Sequence, residues 1–345
     1  LNSNKMTFFI IKICIDVAIM DERMMIWFEE EWVEMILETV DLKKEFNGKL
    51  VVDGVNLYLN EGESVGLLGP NGAGKSTTIS MISSLVKPTS GDVRLSGNSI
   101  LKHPAELRRV LGVVPQEIAL YEDLTAYENL KFFGRIYKLR SKALENRIQG
   151  ALELVGLQDR QKEQIKHYSG GMKRRINIAA ALLHEPKIVI MDEPTVGIDP
   201  QSRNHILETV RLLNREKGLT VVYTSHYMEE VENLCDRVYI MDDGKVIASG
   251  TKDELKNILA GEEMLTIEVE QENQSFVEHL GKLESVQQIS AQDKKIKMIV
   301  SKKTGLLPQI FQLAEQEHVT ILHTQLYTPS LEDVFLHLTG RKLRD

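Results

Sequence analysis

Cysteine is nearly absent: Cys14 and Cys235 are the only two in 345 residues. Two thiols make neither a disulfide framework nor a cysteine-ligated metal cluster, so a reducing compartment is the default. Positive charge is not in excess either. The 42 Lys and Arg against 50 Asp and Glu leave a formal net charge of −8, a poor balance for a general nucleic-acid binder. No apolar run reaches the roughly 20 residues that a bilayer-spanning helix needs. The nearest, MTFFIIKICIDVAIM at residues 6–20, is interrupted by Lys12 and Asp16. Acidic residues 21–34 follow it and offer no signal-peptide cleavage site. If the protein works at a membrane, another chain supplies the spans. Long repeats and low-complexity tracts are also missing. What is present is 42% hydrophobic and 27% charged residues, an ordinary balance for a chain that buries a core. The length predicts two domains, or one large domain with an appendage.

The pattern changes at Met35. Two readings stand for residues 1–34, which start with Leu1. One is a genuine N-terminal helix. In the other, translation starts at Met35, and the purine-rich codons of Glu29-Glu30-Glu31 form a ribosome-binding stretch in an overlong reading frame. The intact mass of the native protein separates them. From 35 to 260 strand and helix patterns alternate. MILETVDLKKEF reads as a strand, followed by apolar runs at 64–68, 110–114, 187–191, 219–223 and 237–241. Near-continuous apolar runs are expected of strands buried on both faces of a parallel sheet. A charged helical insertion spans about 117–168. The expectation is an α/β domain with a mostly parallel central sheet, an antiparallel β part and that insertion. After Gly261 the order reads β-α-β-β-α-β, a small ferredoxin-like α+β domain at 261–345 that ends in a helix, SLEDVFLHLTG.

The densest chemistry lies in GPNGAGKST, residues 69–77: Gly69, Pro70, Asn71, Gly72, Ala73, Gly74, Lys75, Ser76 and Thr77. It matches the G-x-x-x-x-G-K-[ST] pattern and sits between a strand and a helix. Glycines let the backbone wrap an anion, and the helix adds the positive end of its dipole. Lys75 is expected to neutralise phosphate and Ser76 to offer an oxygen to Mg²⁺. Such a loop needs a carboxylate at the end of another strand, and IVIMDEP supplies Asp192 for the metal. Glu193 follows, placed to orient or deprotonate a water aimed at the γ-phosphate.

Further pieces narrow the class. YSGGMKRRINIAAALLHEP, residues 168–186, starts a second helix with two glycines. TSH at 224–226 and VVPQ at 113–116 each follow an apolar strand. Together with the phosphate loop and DEP, they resemble the ATP-binding-cassette (ABC) ATPases over residues 35–260. The resemblance implies roles position by position. Phe46 stacks on adenine. Gln116 reaches Mg²⁺ and senses a partner. Ser169, Gly170 and Gly171 form the signature that binds the γ-phosphate of ATP held by a second copy. Asp199 lies in the loop that crosses the dimer interface, and His226 is the switch histidine on the γ-phosphate. Met172 and Tyr168 depart from the glutamine and leucine of many members, but the signature keeps its backbone N–H groups. Lys173-Arg174-Arg175 reads as a solvated helix face, and no nucleic acid is expected.

A chain with one phosphate loop and one signature implies two ATP between two copies, with ATP and Mg²⁺ as cofactors. YSGGM and the tail SLEDVFLHLTGR resemble the drug-resistance-type ATPases of bacterial type-2 ABC exporters. The implied function is an ATPase that drives a separate multi-span permease from the cytoplasmic face of the membrane. Tyr121 and its neighbours in the insertion are candidate permease contacts. The alternative is a soluble cassette ATPase that drives protein or cofactor assembly.

Overall fold

The computed structural model describes residues 35–225, 227–259, 262–301 and 306–340. The expectations for residues 1–34 and for His226 therefore fall outside the described residues. The chain enters through β1 (Met35–Phe46) and β2 (Lys49–Asn60), an antiparallel hairpin. Asn47 and Gly48 close it with φ of 50° and 79°, the left-handed pair that a two-residue hairpin turn requires. β4 (Ser90–Leu95) and β5 (Asn98–Ser99) extend it into a four-stranded antiparallel sheet in the order β2-β1-β4-β5.

The second sheet holds β3 (Ser64–Leu68), β6 (Leu111–Val114), β7 (Ile188–Asp192), β8 (Thr220–Thr224), β9 (Arg237–Asp242) and β10 (Lys245–Thr251). Its order is β10-β9-β3-β8-β7-β6, parallel except for β10. Every residue of β3 and β8 is buried, which explains their unbroken apolar character. The connections are α1 (Lys75–Ile82) after β3 and α2 (Pro104–Val110) before β6. α3 (Ala126–Ile136), α4 (Ser141–Leu154) and α5 (Gly170–Leu182) lie between β6 and β7. α6 (Pro200–Lys217) follows β7, and α7 (Met228–Leu234) follows β8. α3 and α4 are the expected helical insertion. They bury Leu130, Leu144, Ile148 and Leu152 against Ile176 and Ala179 of α5.

Past β10 a short helix, α8 (Lys252–Lys256), precedes the third sheet. Its strands are β11 (Glu262–Val269), β12 (Val286–Gln292), β13 (Lys295–Ser301) and β14 (Ile321–Tyr327). α9 (Gln274–Leu280) and α10 (Leu306–Gln316) make the helical layer. All pairs are antiparallel in the order β12-β13-β11-β14, the ferredoxin-like arrangement read from the sequence. α11 (Leu331–Thr339) ends the described chain and serves two cores. Leu331 and Phe335 pack with Val231, Leu234 and Leu255 beside the parallel sheet. Val334, between them in sequence and on the same face of the helix, packs with Met264 and Ile299 of the ferredoxin-like sheet. Among the described residues no helix is long and apolar enough to cross a membrane.

Candidate nucleotide site

Residues 69–74 leave β3 and turn into α1 at its N-cap, Gly74. Gly74 has φ of 97°, and a Cβ there would sit 2.8 Å from the carbonyl oxygen of Val51, so only glycine fits without strain. The loop is thus pinned against the β1–β2 hairpin. Phe46, at the tip of that hairpin, is 44% exposed, with the Lys44 ammonium 4.8 Å from its ring centre. α1 has no side-chain cap and no acidic residue in its first turn. The first turn of α5 is also free of acid, whereas capping boxes close α3, α8 and α11 with Glu128, Glu254 and Asp333. A carboxylate in the first turn competes with a bound anion for the same N–H groups and dipole, and the first turns of α1 and α5, like those of α4, α6, α9 and α10, carry none.

Lys75 is the first residue of α1 and is buried. Its ammonium donates to the carbonyl oxygens of Gly69 at 2.6 Å and Pro70 at 3.0 Å. Burial lowers its pKa from the ordinary lysine value, and the nearby charges of Glu193 and Asp192 partly offset that. Asp192 ends β7 beside the end of β8, where the Thr224 hydroxyl donates to its Oδ1 at 2.7 Å. The same hydroxyl accepts the Glu193 N–H at 2.9 Å. Glu193 is 6% exposed and has φ of 48°. A non-glycine residue in that region costs about 1–3 kcal/mol and persists only where its surroundings over-determine it. The Gln116 amide, just past β6, donates to Glu193 Oε2 at 2.9 Å. Lys75, Asp192, Glu193 and Gln116 are thereby brought together at one end of the parallel sheet.

The other expected residues form a separate group. Ser169 is the N-cap of α5, its hydroxyl accepting from the Met172 N–H at 3.3 Å. Gly170 has open space where a Cβ would stand, but a Cβ on Gly171 would overlap Ser202 and lie 3.1 Å from Asp199 Oδ2. Close packing of α5 on the start of α6 therefore requires this glycine. Asp199 caps α6 by accepting the Ser202 N–H at 2.8 Å, and this bond holds its carboxyl below the usual range. Tyr168 is buried and donates to the Arg160 carbonyl at 2.7 Å.

The reading of residues 173–175 as a solvated face is corrected. Arg174 is 5% exposed and donates to the carbonyl oxygens of Pro115 at 2.8 Å and Gln116 at 2.6 Å. Arg175 donates to the Val155 carbonyl at 2.9 Å, and Lys173 pairs with Glu122. The middle cation of the three points inward from α5, where the carbonyl oxygens past β6 satisfy its guanidinium. Arg174 ties α5 to the segment that carries Gln116, a link no motif announced.

A glycine loop between a parallel strand and a helix, with an acidic strand end beside it, defines a phosphate-loop nucleotide-binding fold. The family profile described as ABC transporter matches residues 52–196. A second, described as ATP-binding protein DrrA1-3-like, C-terminal domain, matches residues 250–339. The chain is 49% identical over 312 residues to the linearmycin resistance ATP-binding protein of Bacillus subtilis, covering 90% of this chain and 100% of that one. It is 34% identical to a daunorubicin resistance ATP-binding protein of Streptomyces coeruleorubidus over 88% of this chain and 95% of that one. A dimeric ATP-binding cassette solved in a post-hydrolysis state with ADP and phosphate superposes with a TM-score of 0.57 at 28% identity, covering 63% of this chain and 98% of that one. The chain belongs to the ABC transporter ATP-binding subunits of the drug-resistance type.

Proposed function

We propose that this chain is the Mg·ATP-hydrolysing subunit of an exporter, and that two copies close around two nucleotides to drive a separately encoded multi-span permease. The observation that carries the reading is the meeting of Lys75, Asp192, Glu193 and Gln116 beside loop 69–77. In this reading the loop N–H groups and Lys75 hold the phosphates. Glu193 takes the proton of the attacking water, with Gln116 and the Thr224 hydroxyl fixing its direction. Phe46 stacks on the base and His226 meets the γ-phosphate. Ser76, Gln116 and Asp192 offer a hydroxyl, an amide and a carboxylate oxygen, the hard donors that suit Mg²⁺. No cluster of three His, Cys, Asp or Glu side chains that could hold a metal occurs among the described residues. A site of one carboxylate completed by phosphate and water fits that, and the ion would supply charge neutralisation at the phosphates.

The signature Ser169, Gly170 and Gly171 would bind the γ-phosphate of ATP held by the second copy, with Asp199 at the crossing between copies. ATP then joins the copies and hydrolysis removes the joint. Residues 35–260 are the nucleotide-binding domain, with its helical part at about 117–168, and residues 261–345 the accessory domain. The permease contact is the exposed edge of the insertion. There Tyr121 and Phe132 are 51% and 40% exposed and meet edge to face at 4.9 Å between ring centres. An exposed aromatic pair of this kind suits a docking helix. The protein would sit at the cytoplasmic face of the membrane, held by its permease.

The test is to tag Glu193→Gln in its native cell, solubilise membranes with Mg·ATP present and identify what co-purifies. A multi-span protein in near-equal amount is expected. Soluble partners alone, with none of the protein at the membrane, would contradict transport and favour an assembly ATPase.

A further inference from the structure

Glu230 of α7 is 3% exposed and has no part in the mechanism above. Its Oε2 accepts three hydroxyl groups: Thr195 at 2.7 Å, Tyr223 at 2.9 Å and Ser225 at 2.6 Å. Its Oε1 faces Arg203 Nε at 3.4 Å. These partners belong to the segments that frame the carboxylate pair. Thr195 is two residues past Glu193. Ser225 directly follows Thr224, whose hydroxyl holds both Asp192 and the Glu193 N–H. Arg203 is four residues past Asp199, and its guanidinium lies 3.9 Å from the ring centre of Tyr227. Burial, then the Glu230 charge, pushes the Tyr223 phenol well above its ordinary value, so it remains a donor. A buried carboxylate that served only packing would be better replaced by an apolar side chain.

We infer that Glu230 is a positioning residue for hydrolysis: it ties together the turns after β7 and β8 and so holds Glu193 in its left-handed backbone. It touches neither the phosphate loop nor Lys75 through any bond described above, and it acts through Thr195 and Ser225. The inference rests on the ATPase reading of the same site.

The test uses the purified full chain, steady-state Mg·ATP hydrolysis, fluorescent ATP-analogue binding and thermal melting. Glu230→Ala is expected to lower kcat about tenfold or more while the nucleotide Kd stays within about twofold. Glu230→Gln falls between, because a neutral amide oxygen accepts three hydroxyls poorly. Thr195→Val and Ser225→Ala each lower kcat by about threefold, and adding either to Glu230→Ala lowers it no further, since all act through one group. A kcat within twofold of wild type in the folded Glu230 variants, or fully additive losses, overturns the inference. If Glu230→Ala does not fold, unchanged kcat in both Thr195→Val and Ser225→Ala overturns it. Hydrolysis by wild type and variants alike rejects only the positioning role. A wild type that neither binds nor hydrolyses ATP rejects the ATPase reading and this inference with it.

Discussion

The parallel sheet and the ferredoxin-like sheet are built from opposite materials. At the carboxyl ends of β7 and β8, Glu193, Thr224, Ser225 and Glu230 are all buried, with Lys75 beside them. In the ferredoxin-like sheet and its helices α9 and α10 the buried residues are apolar, among them Leu265, Ile267, Phe276, Met298, Val300 and Ile310, and the buried acid of the C-terminal part, Asp333, caps α11 outside that sheet. Buried charge costs stability unless it is paired and hydrogen-bonded. The chain tolerates buried charge beside one sheet and keeps it out of the other. α11 makes the two mechanically continuous, because Phe335 fills the core beside the parallel sheet while Val334 fills the other.

The comparison breaks most sharply at Lys75. Lys75→Ala removes the one buried ammonium set in the loop, and ATP affinity is expected to fall by about two orders of magnitude, with folding kept. Binding of a fluorescent ATP analogue checks this, and near-normal affinity would unseat the loop as the phosphate site. Next is Phe335→Ala, in a side chain with no exposed surface. It is expected to cost about 3–5 kcal/mol of stability in denaturant titration and to leave the chemistry of the surviving folded fraction intact. A small loss would mean that α11 merely rests on the cassette. A gentler probe is Cys235, whose thiol burial pushes up to about 12. Such a thiol stays protonated near neutral pH, so alkylation of Cys235 is expected only on unfolding, mapped by peptide mass. The smallest effect belongs to Leu322→Ser on β14. Leu322 is 60% exposed, and a change within about 0.5 kcal/mol is expected, with ATPase activity untouched.

How legible each region was follows from the same contrast. β1 appears at Met35–Phe46 as read, and the parallel strands lie within one residue of their apolar runs, since burial on both faces writes itself directly into composition. β2 was not read as a strand. It is one-sided, and its pairing with β1 shifts register between Thr39/Leu42 and Leu42/Lys44, which breaks the alternation. The Asn47-Gly48 turn was the available signal. The strands β4, β5 and β10 also carry no continuous apolar stretch to announce them, and the helices α2, α7 and α8 are at most seven residues long, too short to show a helical period. In the site, Lys75, Asp192 and Glu193 were legible because their motifs are local. Arg174 and Glu230 were not. Arg174 finds its carbonyls 59 and 58 residues away, and Glu230 meets Thr195 across 35 residues. A cation or carboxylate in a helix carries no local mark of what it will touch.

The central claim is that one chain makes half of each hydrolytic site. The most direct measurement is the solution mass of Glu193→Gln at micromolar concentration, by gel filtration with light scattering, with and without Mg·ATP. The account expects a monomer without nucleotide and a stable dimer with it, because the variant keeps ATP and cannot cut the joint. A variant that binds Mg·ATP and stays monomeric would contradict it.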